Sequence, residues 1–170
     1  MASEDIRDFL TALSAAGVDF LVVGAHALAA HGRVRATGDL DVLIKATPAN
    51  ARRLETAVRE FADASLEYFG VSVAELSKPR YGFFMGVEPD RIDVLTRIAG
   101  VRFERAWRGR LESEIEGVPL HVLGFEELIA AKRASARQRP AGSSKAIQDE
   151  ADLAWLLAER RRRRSANGGG

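Results

Sequence analysis

The sequence contains no cysteine among its 170 residues, which removes disulfides, thiol nucleophiles and cysteine-ligated zinc at once and fits a reducing compartment. It has no apolar run of membrane-spanning length, and the opening stretch carries Glu4, Asp5, Arg7 and Asp8, unlike a signal peptide. These features predict a cytoplasmic protein with no membrane partner. Histidine is scarce: His26 and His31 are five residues apart, off the i,i+4 spacing of helical zinc ligands, and His121 sits alone in a strand-like segment. Aromatic residues are few, at 7%, and none is interleaved with the Arg160–Arg164 run as a single-strand stacking platform would require. No internal repeat is visible.

What is present is a chain of 46% hydrophobic and 29% charged residues, enough for one soluble domain with a sizeable core. The net charge is +1, but without the five arginines at 160–164 the balance is 20 basic against 24 acidic residues, or −4. The body is mildly acidic and its end strongly basic. The expected division is a single domain over 1–160 and a basic, glycine-rich, disordered tail over 161–170. The arginine run either contacts RNA phosphates or forms a solvated helix end that complements the helix dipole.

The most informative stretch runs from Val22 to Ile44. An apolar strand, Val18 to Val23, ends at Gly24, where backbone can approach a ligand without an intervening Cβ. A short helix from Ala25 to His31 follows, its first N–H groups free for an anion. The next strand, Leu40 to Lys45, is preceded by Asp39 and contains Asp41. Alternate side chains of an extended segment share a face, so both carboxylates point one way while Leu40, Val42 and Ile44 point the other. Paired carboxylates suit Mg²⁺, completed by water and substrate phosphate oxygens. Further on, Asp93 stands inside Arg91-Ile92-Asp93-Val94-Leu95, where a lone acid is costly unless paired, exposed or ligated. It is either a third carboxylate of the site or an edge-strand residue facing water.

Gly24-Ala25, thirteen intervening residues and Asp39-Leu40-Asp41 resemble the signature of the polymerase-β-like nucleotidyltransferase superfamily. The surrounding wording, AHALAAHG and then RATGDLD, is most similar to small prokaryotic members, including abortive-infection toxin and minimal nucleotidyltransferase branches. Ala25 departs from the pattern, because many members carry Ser or Gly there. The resemblance implies an α/β domain with a mixed β-sheet, helices packed on it and a C-terminal helical segment. It implies Mg²⁺, in a two-metal site, held by Asp39, Asp41 and Asp93, with Asp93 as a possible general base and an NTP as substrate. It also implies nucleotide binding by Gly24, Ala25, Lys132 and Arg137, with Arg139 as the alternative to Arg137, and an Asp-x-x-Asp pair matched by Asp149 and Asp152. His26, next to the motif, either contacts the nucleotide, as does Thr37 in one of its readings, or simply packs. Arg35 and Thr37 are placed either to orient Asp39 or to reach a phosphate, with a plain turn role for Thr37 equally open. Lys132 is either a phosphate ligand or a side chain at a helix edge.

The remaining elements follow from periodicity. Ser3 caps a first helix with Ile6, Phe9, Leu10 and Leu13 on one face, and Thr47-Pro48 opens another with Leu54, Ala57, Val58 and Phe61. Ser72 and Glu75 make a capping box for a single turn. Two strands flank Glu88-Pro89-Asp90, and a hairpin turns at Glu116-Gly117. Phe103 and Trp107 are packing anchors. Helices are expected from Phe125 to about Ala136 and from Ala146 to Arg160.

Three functions fit this chemistry: transfer of a nucleotide to tRNA or protein, within a toxin–antitoxin or defence system with an antitoxin partner; nucleotidyl transfer to a small molecule such as an antibiotic, for which an acidic cleft would speak; or a non-catalytic nucleotide- or protein-binding module whose site has decayed at Ala25.

Overall fold

The computed structural model describes residues 2–168, with side chains from residue 4 onward, so the proposed cap at Ser3 and the last two glycines lie outside the described residues. The order is α1 (Ala2–Ala15), β1 (Phe20–Val23), α2 (Gly24–Ala30), β2 (Leu40–Ile44), α3 (Pro48–Ala62), a 3₁₀ turn (Leu66–Phe69), α4 (Val73–Leu76), β3 (Gly82–Met85) and β4 (Ile92–Leu95). There follow α5 (Phe103–Arg108), β5 (Leu111–Ile115), β6 (Val118–Val122), α6 (Phe125–Gln138) and α7 (Ser144–Asn167).

All six strands join one mixed sheet in the order β3-β4-β2-β1-β6-β5. β1 and β2 lie at its centre, antiparallel, with Phe20 opposite Ile44 and Val23 opposite Asp41. They read as nearly unbroken apolar runs because both their faces are covered: all of β1 and four of the five β2 residues are buried. β4 pairs parallel with β2, which sets Asp93 beside Asp41. The hairpin between β5 and β6 turns through Glu116 and Gly117, both at positive φ (49° and 77°), the paired left-handed conformation that a two-residue turn demands.

α1 and α3 pack together through the apolar stripes expected of them, with the Phe9 and Phe61 rings 5.2 Å apart. Thr47 caps α3 by accepting from the Asn50 N–H, and Pro48 fills the first helical position. Asn50, 1% exposed, accepts from the Asp19 N–H (2.7 Å) and donates to the Asp19 and Lys45 carbonyls (3.0 and 2.9 Å). This buried amide satisfies the backbone where β1 begins and β2 ends. The capping box at Ser72 and Glu75 is formed, with both reciprocal bonds present.

One expectation requires correction. α7 does not stop at Arg160 but continues to Asn167, so the arginine run forms a helix end, one of its two readings, and residues 161–167 are helical where the domain division placed a disordered tail. Two of its members are anchored: Arg160 pairs with Glu126 at 3.3 Å, and the Arg163 guanidinium lies 4.1 Å from the Phe125 ring centroid. Arg163 also donates to the His31 carbonyl at the end of α2 (3.3 Å). Such long side chains use their stems as apolar cover and their heads for orphan carbonyls, which composition alone does not show.

Candidate active site

A cleft of about 450 Å³ opens where β1, β2 and β4 present their carboxyl-bearing face to α6 and the start of α7. Its sheet wall carries Gly24, Ala25, Thr37, Asp39, Asp41, Arg91, Asp93 and Arg97, and its helix wall Lys132, Ser135, Arg139, Lys145 and Asp149. Most of the residues singled out from the sequence thus meet in one place.

Gly24 is required here twice over. Its φ is +66°, and a Cβ at this position would sit 2.4 Å from Asp41 Oδ2. The absent side chain is therefore the space in which the Asp41 carboxylate lies. Gly38 performs a similar service for Asp39, since a Cβ there would fall 1.8 Å from the Pro89 carbonyl oxygen. The chain before β2 can consequently lie against the 88–90 turn. The Leu40 N–H donates to the Arg91 carbonyl (2.9 Å), and the Arg91 N–H donates to Asp39 Oδ1 (3.0 Å). Thr37 contributes a weaker bond from its hydroxyl to the Asp39 carbonyl (3.3 Å), a contact that supports the turn and the aspartate together.

The three carboxylates sit in different electrostatic surroundings. Asp93 is paired with Arg91, whose Nε lies 2.9 Å from Asp93 Oδ2, and Arg91 reaches Glu88 at 3.5 Å and lies 5.3 Å from the Phe84 ring centroid. Among the described residues Asp41 has no such partner. Burial, and then the nearby charges of Asp93 and Asp39, push its pKa up to about 6. A divalent cation would relieve that repulsion, and Asp41 lines the open cleft from which one would reach it. Among the described residues no group of three acidic or histidine side chains converges closely enough to cage a metal unaided, so substrate oxygens would have to complete the coordination.

The helix wall is organised around Lys132. Its ammonium bonds Asp149 Oδ1 at 2.7 Å and lies 2.9 Å from Asp152 Oδ2, off the hydrogen-bonding direction. Asp152 is fully buried, accepts a hydrogen bond from Arg33 Nε at 2.8 Å and lies 3.4 Å from the Arg35 guanidinium, while Asp149 accepts from Arg139 Nε and the Ser135 hydroxyl (2.7 and 2.8 Å). Burial opposes ionisation of Asp149, yet the bonds from Lys132 and Ser135 and the charges around it hold its pKa below the ordinary carboxylate value. Lys132, which lines the cleft, is thus also the hub of an ion-pair network that fixes its position at the cleft wall.

Two expected nucleotide contacts lie elsewhere. Arg137 is exposed and does not line the cleft; Arg139, the alternative, does. Helical spacing supplies the reason: Ser135 and Arg139 follow Lys132 by three and seven residues, on the same face, whereas Arg137 follows by five. His26 also stands outside the cleft lining. Its Nε2 is buried without a hydrogen-bond partner, and burial lowers its pKa against the opposing pull of the Asp39 backbone. His31 bonds the Leu123 carbonyl at 2.8 Å, and His121 packs edge-on against Trp107; both are structural. The sequence reading missed Arg91 and Arg97. The signal was available, because residues 91, 93, 95 and 97 share one face of β4 and its extension by the period of two.

The comparisons with known proteins agree with this geometry. No curated protein matches the chain. The fold is similar to the antibiotic-resistance factor ANT(2″)-Ia in solution (TM-score 0.55, 20% identity, covering 98% of this chain and 94% of that one). It is similar to ANT(2″)-Ia in complex with adenylyl-2″-tobramycin (TM-score 0.57, 20% identity, 91% and 89% covered). It is also similar to an antigenic nucleotidyltransferase-like protein from Paracoccidioides brasiliensis (TM-score 0.53, 18% identity, 92% and 76% covered). At these identities the likeness shows a shared nucleotidyltransferase fold and nothing about acceptors. The family evidence is more specific, because residues 8–166 match the family described as nucleotidyl transferase AbiEii toxin, type IV TA system. With β1, the Gly24 turn, the carboxylate strands and the Lys132 network all inside that span, the chain belongs to the AbiEii family and is a nucleotidyltransferase.

Proposed function

We propose that the protein transfers a nucleoside monophosphate from an NTP to a hydroxyl of tRNA or of a protein, as the toxin of a pair whose antitoxin restrains it. The observation that carries this reading is the polarity of the cleft: carboxylates Asp39, Asp41 and Asp93 on the sheet wall face a helix wall that carries Lys132, Arg139 and Lys145, the first two held there by Asp149. A triphosphate with its counter-cation needs both signs within one site.

Asp39 and Asp41 would hold magnesium. When bound, it supplies charge neutralisation at the phosphates and compensates the Asp41–Asp93 repulsion. Arg91 holds only Oδ2 of Asp93, so the other oxygen is open to join as a third ligand or, in this reading, to accept the proton of the acceptor hydroxyl. The freed oxygen attacks the α-phosphorus in line, the bond to the β-phosphate breaks, and pyrophosphate leaves. Gly24 and Ala25 allow backbone to approach the phosphates, and Lys132, fixed by Asp149 and Asp152, faces the charge that develops there. The cleft lining carries Arg35, Arg91, Arg97, Lys132, Arg139 and Lys145 against four aspartates, which weighs against a polycationic small-molecule acceptor. Incubation with α-phosphate-labelled NTPs, Mg²⁺ and cell extract tests the reading. Label is expected in an RNase- or protease-sensitive band and absent with Asp39→Ala, Asp41→Ala; nucleotide binding without any labelled acceptor would overturn it.

A further inference from the structure

On the edge strand β3, Phe84 stands in register beside Asp93, and Asp93 stands beside Asp41. These three side chains therefore form a row across neighbouring strands on one face of the sheet. Phe84 is 58% exposed, with the Arg91 guanidinium over its ring 5.3 Å from the centroid, and Tyr81 is 39% exposed, both large rings at a strand edge. An open groove of about 590 Å³ runs over them, sharing Asp93 and Arg97 with the main cleft and adding Arg80. Its floor is Gly82, where a Cβ would meet the Val94 carbonyl at 2.7 Å. Arg80, at the groove's lip, holds a φ of +79°, a conformation that costs energy for a residue with a side chain. Arg80 and Arg97 are both exposed, and among the described residues neither has a carboxylate within ion-pair distance.

Exposed rings beside uncommitted cations are the two components of single-strand recognition: bases stack on the rings and phosphates meet the cations. A protein side chain as acceptor would need neither. Resting on the nucleotidyl-transfer reading above, we infer that this groove is the acceptor platform, on which the single-stranded 3′ end of an RNA lies with a base on Phe84 and phosphates at Arg80 and Arg97. The terminal hydroxyl then reaches Asp93 from the side opposite the triphosphate. Its proton passes to Asp93, its oxygen bonds the α-phosphorus, and pyrophosphate departs.

The test is fluorescence anisotropy of a 5′-labelled oligoribonucleotide with a single-stranded 3′ end, titrated with the full chain in the absence of NTP. Phe84→Ala is expected to weaken binding by about tenfold, and Phe84→Trp to retain it. The double variant Arg80→Gln, Arg97→Gln is expected to flatten the salt dependence by roughly 0.7 in slope for each phosphate that is no longer neutralised. In turnover, Phe84→Ala raises KM for RNA and not KM for the nucleotide. Wild-type protein that does not bind the RNA, or Phe84→Ala with wild-type affinity, overturns the platform. If the wild type transfers label only to protein, nucleotidyl transfer stands and the platform falls. If it binds RNA through Phe84 but transfers nothing, the platform stands and the transfer reading fails.

Discussion

Truncation of Asp152 to alanine probes the helix wall most directly, because the aspartate is fully buried and three cations converge on it: Arg33 at 2.8 Å, Lys132 at 2.9 Å and Arg35 at 3.4 Å. Removing one member of a buried ionic network costs about 3–5 kcal/mol, since the partners left behind have lost their compensation. Arg33 and Arg35 are about a quarter exposed and can turn partly to water, and Lys132 keeps Asp149, which places the loss near the lower end of that range. For a chain of this size each kcal/mol moves Tm by roughly 2–4 °C, so Asp152→Ala should melt about 6–12 °C below wild type. Asp152→Asn, which keeps an acceptor for Arg33, should lose less. The assay is thermal unfolding followed by circular dichroism at low and high salt, because a buried network is screened little whereas a surface pair fades. A Tm within about 2 °C of wild type, or a deficit that vanishes in high salt, would refute the argument that α6 and α7 are held together through this network.

Gly24→Ala should reduce kcat by about a hundredfold or more, since the added methyl meets Asp41 Oδ2 and displaces it while the backbone is held at positive φ; steady-state kinetics on a folded preparation checks this. Asp41→Asn should abolish transfer yet raise the Tm of the metal-free protein. Its folded pKa, about 6, lies above the unfolded value, so the native state binds the extra proton and this group's support for folding is lost as pH rises from about 4 through 6. The stability advantage of the asparagine should therefore be absent near pH 4 and fully developed above pH 6, as a pH series of melts would read out. Ala25→Ser should lower KM for the nucleotide by up to about tenfold, the worth of one hydrogen bond to a charged phosphate, measured by initial rates at fixed Mg²⁺.

The sequence by itself determined the centre of this protein. Gly24, Asp39 and Asp41 were legible because their roles are local: a glycine that ends a strand and two acids on one side of the next. The period of two placed Leu40, Val42 and Ile44 on the opposite face, and all three are buried. Helix starts at Thr47-Pro48 and Ser72 were legible for the same reason, since a cap acts within three residues of itself. What only the tertiary structure decided is which distant charges meet. Asp93 lies beside Asp41 through parallel pairing of β4 with β2, and Arg91 pairs with it. Arg139 rather than Arg137 joins Asp149 because helix α6 turns that face toward α7. Arg33 and Asp152 are 119 residues apart yet 2.8 Å distant. Such pairings depend on how helices and strands stack, a matter of packing and of the cost of burying charge alone, and no pattern within a short window of sequence encodes either one.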